Sequence, residues 1–569
     1  MKDQKKYFQL TTIILILTAC ECFFFRNMLF GSTSLFGNIA DGRLTMLLTE
    51  HWWSFFCGKE SFSDTLLYYP LHGTTGYTDM LLGFGIIHSL FRLLGMNMYT
   101  AYKFTIIFVH FVGTLSTFYL FRKTLRCNNL WSIFGTLAFS FSDTFSQTTE
   151  HTQLVATSIL PIMLIFFISY VRSFEQRKKR NIYAYLFILF FVLLTYTSWY
   201  TAFFLGFFVL IYAILYIVNL MFHKISISAI IKNAPASFWK DLILYFLITL
   251  FLFLPFIQIY IPILKQSSGY SYAYSTYFLP ELIDLIHVSD TNLMLGHFMQ
   301  ALNLSSRPYS YELAAGYSIV LLIMFLITFI IMRKKNRSTA FSYYDNAILI
   351  GYISIIICFL CILRLSYNGV SLWFIVSYIL PISHSVRAVV RLMFWLSFPM
   401  TIVTTYVANQ HYVNVKILPA LLCILVFIFN INTVGAYTEW DQTEEENYLS
   451  AVPAPPKDAE AFYLVDTSGS WDEYVAKYQM EAFEIATIYS LPTINGYPAQ
   501  TPPYWGGIWN LCSEDYETYV ALWIKAYNLE NVYAYDRATC TWISHNDILK
   551  SGVEEKLETM INRTQSNQN

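Results

Sequence analysis

Charged residues are scarce in this chain. Only 13% of its 569 residues are Asp, Glu, Lys or Arg, and 56% are hydrophobic, whereas soluble domains carry about 25% charged residues. So few charges could not cover the surface of a water-soluble fold of this length, so an entirely soluble protein is excluded. The formal net charge is -1, so overall charge predicts no nucleic-acid partner.

Two further features are missing. The cysteines and histidines show no spacing typical of a zinc site, so no metal site is predicted from them. The first segment, residues 1–25, has a basic start and an apolar stretch at residues 10–20, and no cleavage site of small residues follows it. The sequence therefore predicts a retained first span that acts as a signal anchor.

Long apolar runs account for the composition, and each approaches the roughly 20 residues needed to cross about 30 Å of hydrocarbon. The predicted spans are residues 8–25, 100–121, 130–145, 154–171, 182–198, 200–220, 241–264, 315–332, 346–363, 391–408 and 415–433. Two shorter apolar stretches, 80–96 and 370–381, are predicted to be interfacial or re-entrant helices.

Basic residues set the orientation of these spans. They gather in alternate connections, at Arg122, Lys123, Arg126, Arg172, Lys240, Arg333, Lys334 and Lys335. The connections 142–153 and 196–200 contain none. By the positive-inside rule, this pattern predicts a multi-pass protein of the cell membrane with a cytoplasmic N-terminus.

The predicted fold class is mainly α, a polytopic helical membrane bundle with a small extracytoplasmic α/β domain. Residues 1–433 would form the transmembrane domain, with a large first outer loop at 26–99. A linker at 434–460 contains a proline-rich run at 452–456. The C-terminal domain at 461–569 begins with a strand-like segment, 461–465, and continues with a helix-like one, 472–491.

Four arginines break the charge rule because they lie on the predicted outer side: Arg43, Arg364, Arg387 and Arg391. Arg387 and Arg391 are four residues apart and would share one helix face. Two guanidinium groups held together repel unless an anion, commonly a phosphate, lies between them. The alternatives are contact with lipid headgroups and pairing with a loop carboxylate.

Carboxylates also gather on this side. Asp41 follows the first span between glycines, and Glu50, Asp79 and Glu150 lie in the first two outer loops. Carboxylates above a bundle can act as a general base or as metal ligands, although each alone could be a helix cap or a solvated side chain. His151 fits no zinc signature, so a hydrogen-bonding role is predicted for it.

The C-terminal segment 495–505 is dense in turn-forming residues and aromatic rings, among them Tyr497. Aromatic rings stack on sugars, but they also form the ordinary interfacial belts of membrane proteins. The segment is therefore either part of an acceptor site or a belt.

These features resemble the GT-C superfamily of polytopic glycosyltransferases, in particular the YfhO-like membrane proteins. The resemblance covers about residues 30–400. Its motifs are Asp41, Tyr69-Pro70, the Asp79 to Gly83 turn, Glu150-His151, Leu160-Pro161, Glu312 before Gly316-Tyr317, Arg387 and Arg391, with Asn495 to Tyr497 in the tail.

The resemblance implies transfer of a sugar from a polyprenyl-phosphate-linked donor to an acceptor of the cell envelope, which would be a glycan, a lipid or a protein. Asp41 would be the general base, with Asp79, Glu150 and His151 as further catalytic candidates. Arg387, Arg391 and Arg364 would hold the donor phosphate. The acceptor or loop candidates are Arg43, Glu50, Glu312 and Tyr497.

One departure concerns metal. No second carboxylate stands beside Asp41 in Asp41-Gly42-Arg43, although metal-dependent members carry one. No cofactor is therefore assigned, and Mg²⁺ or Mn²⁺ is left open.

Two other functions remain. A transporter or flippase of a lipid-linked substrate would also have many spans, but transporters tend to carry internal repeats and mid-span charges. A non-catalytic protein that only binds a lipid-linked glycan is the third possibility. Both share the partners of the first, the membrane lipid and the lipid-linked sugar.

Overall fold

The structure is a computed structural model that describes residues 2–30, 33–148, 150–176, 181–226, 232, 235–266, 269–304, 306–335, 343–366, 369–436, 438–471 and 474–548. Of the predicted C-terminal domain, residues 549–569 therefore lie outside the described residues. Its α-helices are Lys2–Phe24, Arg26–Leu29, Asp41–Phe56, Leu82–Leu93, Met98–Tyr119, Asn129–Ser140, Asp143–Thr148, Leu160–Glu175, Ile182–Thr197, Trp199–Phe222, Ala236–Gln266, Tyr272–Ser275, Gly296–Ala301, Ser310–Leu313, Ile319–Lys335, Tyr343–Ile362, Trp373–Ile379, Arg391–His411, Ile417–Asn430, Gln442–Ala451, Val475–Tyr489, Tyr516–Ala526 and His545–Ile548.

A helix lies at each of the eleven predicted spans. Six stretches of the described chain are long and apolar enough, by length and composition, to cross a membrane: Tyr7–Phe24, Met98–Thr124, Thr152–Glu175, Trp199–Phe222, Ala236–Gln266 and Asp345–Ile362. Shorter apolar helices are Leu82–Leu93, Ile182–Thr197 and Ile417–Asn430. The chain is a mainly helical, multi-pass membrane protein, as predicted.

Helix Arg391–His411 forms the centre of the bundle. It is buried along nearly its whole length, because apolar and small polar residues occupy every face of the helix itself. It packs against helices Asn129–Ser140, Ile319–Lys335 and Tyr343–Ile362. The N-terminal turn of this buried helix carries Arg391, one of the predicted phosphate ligands.

Two small sheets accompany the helices. β1 (Ser34–Phe36) pairs with β2 (Thr438–Asp441). β3 (Ala461–Val465) pairs in parallel with β4 (Val532–Asp536), which pairs antiparallel with β5 (Thr541–Ser544). β3 coincides with the predicted strand 461–465, and all five of its residues are buried.

The described helix Val475–Tyr489 falls within the predicted helical segment 472–491, of which residues 472 and 473 lie outside the described residues. The range predicted as a linker, 434–460, instead contains β2 and helix Gln442–Ala451. That helix begins here because the Asp441 carboxylate accepts a hydrogen bond from the backbone N–H of Thr443 at 2.8 Å. The stretches 80–96 and 370–381 contain the short helices Leu82–Leu93 and Trp373–Ile379.

The chain divides into two compact units. The first comprises residues 1–32, 106–254 and 270–438, and the second comprises residues 33–105, 255–269 and 439–569. The second unit thus joins most of the predicted first outer loop to the C-terminal segment. This division differs from the predicted boundary at residue 433, because contacts rather than chain order define the units.

Candidate functional site

A cluster of charges in the first unit contains four of the predicted site residues: His151, Glu312, Arg387 and Arg391. Glu312 lies in the short helix Ser310–Leu313, and Arg391 begins helix Arg391–His411. The Arg391 guanidinium donates to both oxygens of Glu312, from Nε at 2.8 Å and from Nη2 at 2.6 Å. Such a two-point contact fixes both side chains in one geometry.

Arg387 and His151 complete this cluster. His151 Nε2 lies 3.2 Å from Glu312 Oε1, and Arg387 Nη2 lies 3.7 Å from the same oxygen. The Arg387 side chain is 33% exposed, whereas that of Arg391 is 4% exposed. Arg387 is therefore the arginine of the pair that a ligand can reach.

Aromatic rings line the two guanidinium groups. Arg387 lies over the ring of Phe278 at 5.4 Å, and Arg391 lies over the ring of Tyr200 at 4.9 Å. The Tyr200 hydroxyl accepts hydrogen bonds from the backbone N–H groups of Arg387, at 2.9 Å, and Ala388, at 3.3 Å. Tyr200 thereby fixes the segment that carries Arg387.

The cluster keeps Glu312 ionised. Burial alone would raise the pKa of the Glu312 carboxyl, but the charges and hydrogen bonds of Arg391 and His151 hold it well below its ordinary value. A carboxyl of this kind stays an anion at neutral pH, so it orients cations rather than exchanging protons. Glu312, predicted as an acceptor or loop residue, thus lies among the phosphate-ligand candidates.

Glu150 and Arg364 take different positions in this unit. Glu150 is half-buried, and its charge contributes to raising the pKa of the Tyr311 hydroxyl to about 12, after the larger effects of burial and Glu312. Arg364 donates to the carbonyl of Thr276 at 2.7 Å and lies 4.0 Å from Glu281. Arg364 therefore approaches Glu281, whereas Arg387 and Arg391 both approach Glu312.

In the second unit, Asp41 begins helix Asp41–Phe56. The Asn38 side chain caps this helix, since its oxygen accepts from the backbone N–H groups of Ala40, Asp41 and Gly42. The cap is therefore not the Asp41 carboxylate. Asp41 is half-buried. At Gly42 an added Cβ would lie 2.7 Å from the carbonyl oxygen of Phe36, so only glycine fits there.

Arg43 and Glu50 anchor the same helix. Arg43 is buried, pairs with Glu445, and lies 3.7 Å from Glu484. Glu50 Oε1 lies 3.1 Å from Arg92 Nη2, and Glu50 Oε2 lies 2.8 Å from His88 Nε2. Both were predicted as acceptor or loop residues, and in the structure their ion pairs hold helix Asp41–Phe56 in place.

Asp79 and Tyr497 lie elsewhere in the second unit. Asp79 is half-buried and precedes helix Leu82–Leu93. Tyr497 packs against Trp509 with ring centroids 5.6 Å apart. The neighbouring Asn495 is buried, and its carbonyl accepts from the N–H of Tyr68 at 3.2 Å. This segment is therefore a packed part of the unit rather than a free loop.

Stability of the second unit is predicted to depend on Glu484. Burial raises the pKa of this carboxyl to about 8, against the attraction of Arg43, and Glu445 adds to the rise. Between about pH 4.3 and 8 the folded state holds a proton that the unfolded state has lost, so stability falls as pH rises, by at most about 1.4 kcal/mol per pH unit. We expect Glu484→Gln to remove this dependence.

The measurement is hydrogen exchange of helix Val475–Tyr489 at pH 5.5 and 8.5, corrected for the intrinsic effect of pH. The exposed Glu530 provides the matched control, and Glu530→Gln should leave the wild-type dependence unchanged. Equal protection of the wild-type helix at both pH values would contradict the prediction.

Among the residues that the structure describes, no group of three or more His, Cys, Asp or Glu side chains could hold a metal ion. All nine cysteines are free thiols.

Comparison with solved structures identifies the fold. The archaeal oligosaccharyltransferase AglB from Archaeoglobus fulgidus, in complex with an inhibitory peptide and a dolichol-phosphate, matches with a TM-score of 0.50 and 10% identity. The match covers 93% of this chain and 69% of that chain. The chain has a GT-C-like fold. ArnT from Cupriavidus metallidurans in the apo state also matches, with a TM-score of 0.34, 10% identity and coverage of 87% and 86%.

No protein-family model matches the chain, and neither does any curated protein. The GT-C-like fold agrees with the fold class predicted from sequence. The YfhO-like subtype stays a prediction.

Sequence reasoning missed Tyr200 in the charge cluster of the first unit and Glu484 in the second unit. Tyr200 lies just inside a predicted span, where an aromatic residue looks like part of a belt. Glu484 had a usable signal, because it lies in a helix between apolar residues, as Phe483 and Ile485 show. A carboxylate at such a position is predicted to be buried and paired.

Proposed function

We propose that this chain is a membrane glycosyltransferase that transfers a sugar from a polyprenyl-phosphate-linked donor to an extracytoplasmic acceptor. The carrying observation is the half-exposed Arg387 beside the buried Arg391–Glu312 pair. The GT-C-like fold supports this proposal, as does the predicted outer location of these arginines. The cytoplasmic N-terminus and the extracytoplasmic C-terminal domain belong to the same proposal.

The charges of the cluster suit a phosphate. Glu312 is committed to Arg391 through two hydrogen bonds, whereas Arg387 approaches it only to 3.7 Å. Arg387 therefore retains donors for a further anion, and His151 adds a ring nitrogen close by. In this proposal Arg387 binds the donor phosphate, and Arg391 orients the cluster.

The reaction would be a displacement at the anomeric carbon of the donor sugar. The acceptor hydroxyl attacks this carbon and loses its proton to the Asp41 carboxylate, while the bond between the carbon and the phosphate oxygen breaks. The leaving phosphate keeps the bonding electron pair, and Arg387 stabilises its charge. The sugar would be transferred with inversion. Mg²⁺ or Mn²⁺ stays open as a cofactor.

The transfer rate is predicted to fall about 10²-fold in Arg387→Gln, because one preorganised cation at the leaving group is lost. The measurement is transfer from radiolabelled polyprenyl-phosphate sugars by the purified protein in lipid. Arg333→Gln, at an exposed arginine ending helix Ile319–Lys335, should keep the wild-type rate. A wild-type rate in Arg387→Gln would contradict the role of this residue.

A transporter or flippase is the second candidate, and one observation favours it. Glu21 and His110 are buried ionisable residues of two apolar helices, with Glu21 Oε1 2.7 Å from His110 Nδ1. Ionisable groups inside membrane helices often mark transport pathways. Movement of a lipid-linked sugar across liposomes, with no hydrolysis or transfer, would select this function over the first.

A further inference from the structure

A cavity of about 480 Å³ lies in the second unit, between the C-terminal part of helix Ala236–Gln266 and residues 62–77. Its volume falls within the roughly 300 to 1,000 Å³ of ligand pockets. We propose that this cavity binds a neutral sugar unit of the acceptor. That this sugar belongs to the acceptor rests on the proposed transferase function, but the test of sugar binding does not depend on transfer.

One face of the helix lines the cavity. Pro255, Gln258, Ile259, Pro262 and Gln266 line it, and their spacing of three, four, seven and eleven residues from Pro255 places them on one side of a helix. Pro262 has no N–H to donate to the carbonyl of Gln258. That carbonyl and the Gln258 amide together offer both acceptors and a donor.

The helix is also long enough to carry this face out of the lipid. Its 31 residues span about 46 Å, against about 30 Å of hydrocarbon. The exposed large apolar side chains are frequent from Leu242 to Leu254, and beyond that point only Ile261 and Leu264 belong to this class. The last turns of the helix therefore lie where a polar ligand can reach them.

The opposite wall is held in place before any ligand arrives. The Tyr77 hydroxyl donates to the Gln266 side-chain oxygen at 3.4 Å, and the Tyr77 carbonyl accepts from the N–H groups of Ala499 and Gln500 at 2.8 and 3.1 Å. At Gly76 an added Cβ would lie 2.5 Å from Ile263 Cδ1, so this turn rests directly on the helix. The cavity is therefore preformed.

The chemistry of the wall selects the ligand class. The polar groups include the amides of Gln258 and Gln266, the Ser63 hydroxyl and the His72 imidazole. The other lining residues are Phe62, Gly73, Tyr77, Pro255, Ile259, Pro262 and Ile263. No Lys, Arg, Asp or Glu is among the described residues that line the cavity. A phosphate would need cationic donors, and an acyl chain would bury the amides without partners.

A sugar can contact both the polar groups and the aromatic rings of this lining. Each of its hydroxyl groups donates and accepts, as do the amides and the hydroxyl of the cavity. Its C–H faces can lie against an aromatic ring. A neutral saccharide is therefore the ligand that leaves the fewest polar groups unpaired.

The test uses the full chain in phosphatidylcholine nanodiscs, which contain no glycoside detergent. The probes are the methyl glycosides of glucose, galactose, mannose, N-acetylglucosamine and N-acetylgalactosamine, observed by saturation-transfer NMR. We expect at least one to bind the wild-type protein. Gln258→Leu should weaken its binding about tenfold, since the lost amide makes more than one hydrogen bond.

The matched control is Gln300→Leu, at an exposed glutamine of helix Gly296–Ala301 outside the cavity, which should bind as the wild type does. Absence of binding by all five glycosides, or equal binding by Gln258→Leu, would overturn the sugar site. The proposed transferase function fails separately, if the wild-type protein in lipid transfers no sugar from any of the polyprenyl-phosphate sugars.

Discussion

Asp41→Asn is expected to lower the rate of sugar transfer by about 10² to 10⁴-fold, the contribution of a general base. The amide keeps the size of the side chain but cannot take the proton of the acceptor hydroxyl. Folding should be unaffected, because Asn38 rather than Asp41 caps the helix. The measurement is the transfer rate per folded protein, after size-exclusion chromatography in detergent.

Asp515→Asn is the matched control for this substitution. Asp515 is also half-buried in the second unit, where it immediately precedes helix Tyr516–Ala526 without capping it through its side chain. The control should keep the wild-type rate. Retention of full activity by Asp41→Asn would remove Asp41 from the mechanism.

Glu312→Leu is expected to destabilise the first unit by about 3 to 5 kcal/mol, because it leaves the buried Arg391 guanidinium without its carboxylate. Transfer should be lost as well, since Arg391 would no longer orient the cluster. The measurement is the unfolding midpoint of the purified protein in detergent, together with the transfer rate.

The double variant Glu312→Leu with Arg391→Leu separates the two effects. Removing both charges should recover much of the lost stability, because an apolar pair replaces an unpaired buried ion. Activity should stay low, since both charges are absent. A Glu312→Leu protein as stable as the wild type would show that the ion pair does not stabilise the unit.

Hydrophobic patterning predicts the elements of this fold well. Each apolar run became a helix, and β3 lies where a short apolar segment follows a proline-rich stretch. Patterning did not predict helix Gln442–Ala451 within the range 434–460, because the cap that starts this helix is a single side chain. It also did not show which segments form one unit, since that depends on contacts distant along the chain.

The candidate site was only partly predictable. The spacing of Arg387 and Arg391 indicates that they share one helix face. No feature of the nearby sequence, however, predicts that Glu312 is the carboxylate that pairs with Arg391. Arg43 shows the same limit more strongly. Its unusual outer charge suggested a ligand contact, whereas its partners Glu445 and Glu484 lie some 400 residues away along the chain.

The backbone contacts between residues 66–69 and 493–495 carry a consequence for synthesis. The N–H of Thr493 donates to the carbonyl of Leu66, and the N–H of Tyr69 donates to the carbonyl of Thr493. A ribosome adding about 5 to 20 residues per second needs roughly 20 to 85 s to travel from one segment to the other. Throughout that interval these backbone groups of residues 66–69 lack their native partners, so premature termination would leave them exposed for quality-control proteases to recognise.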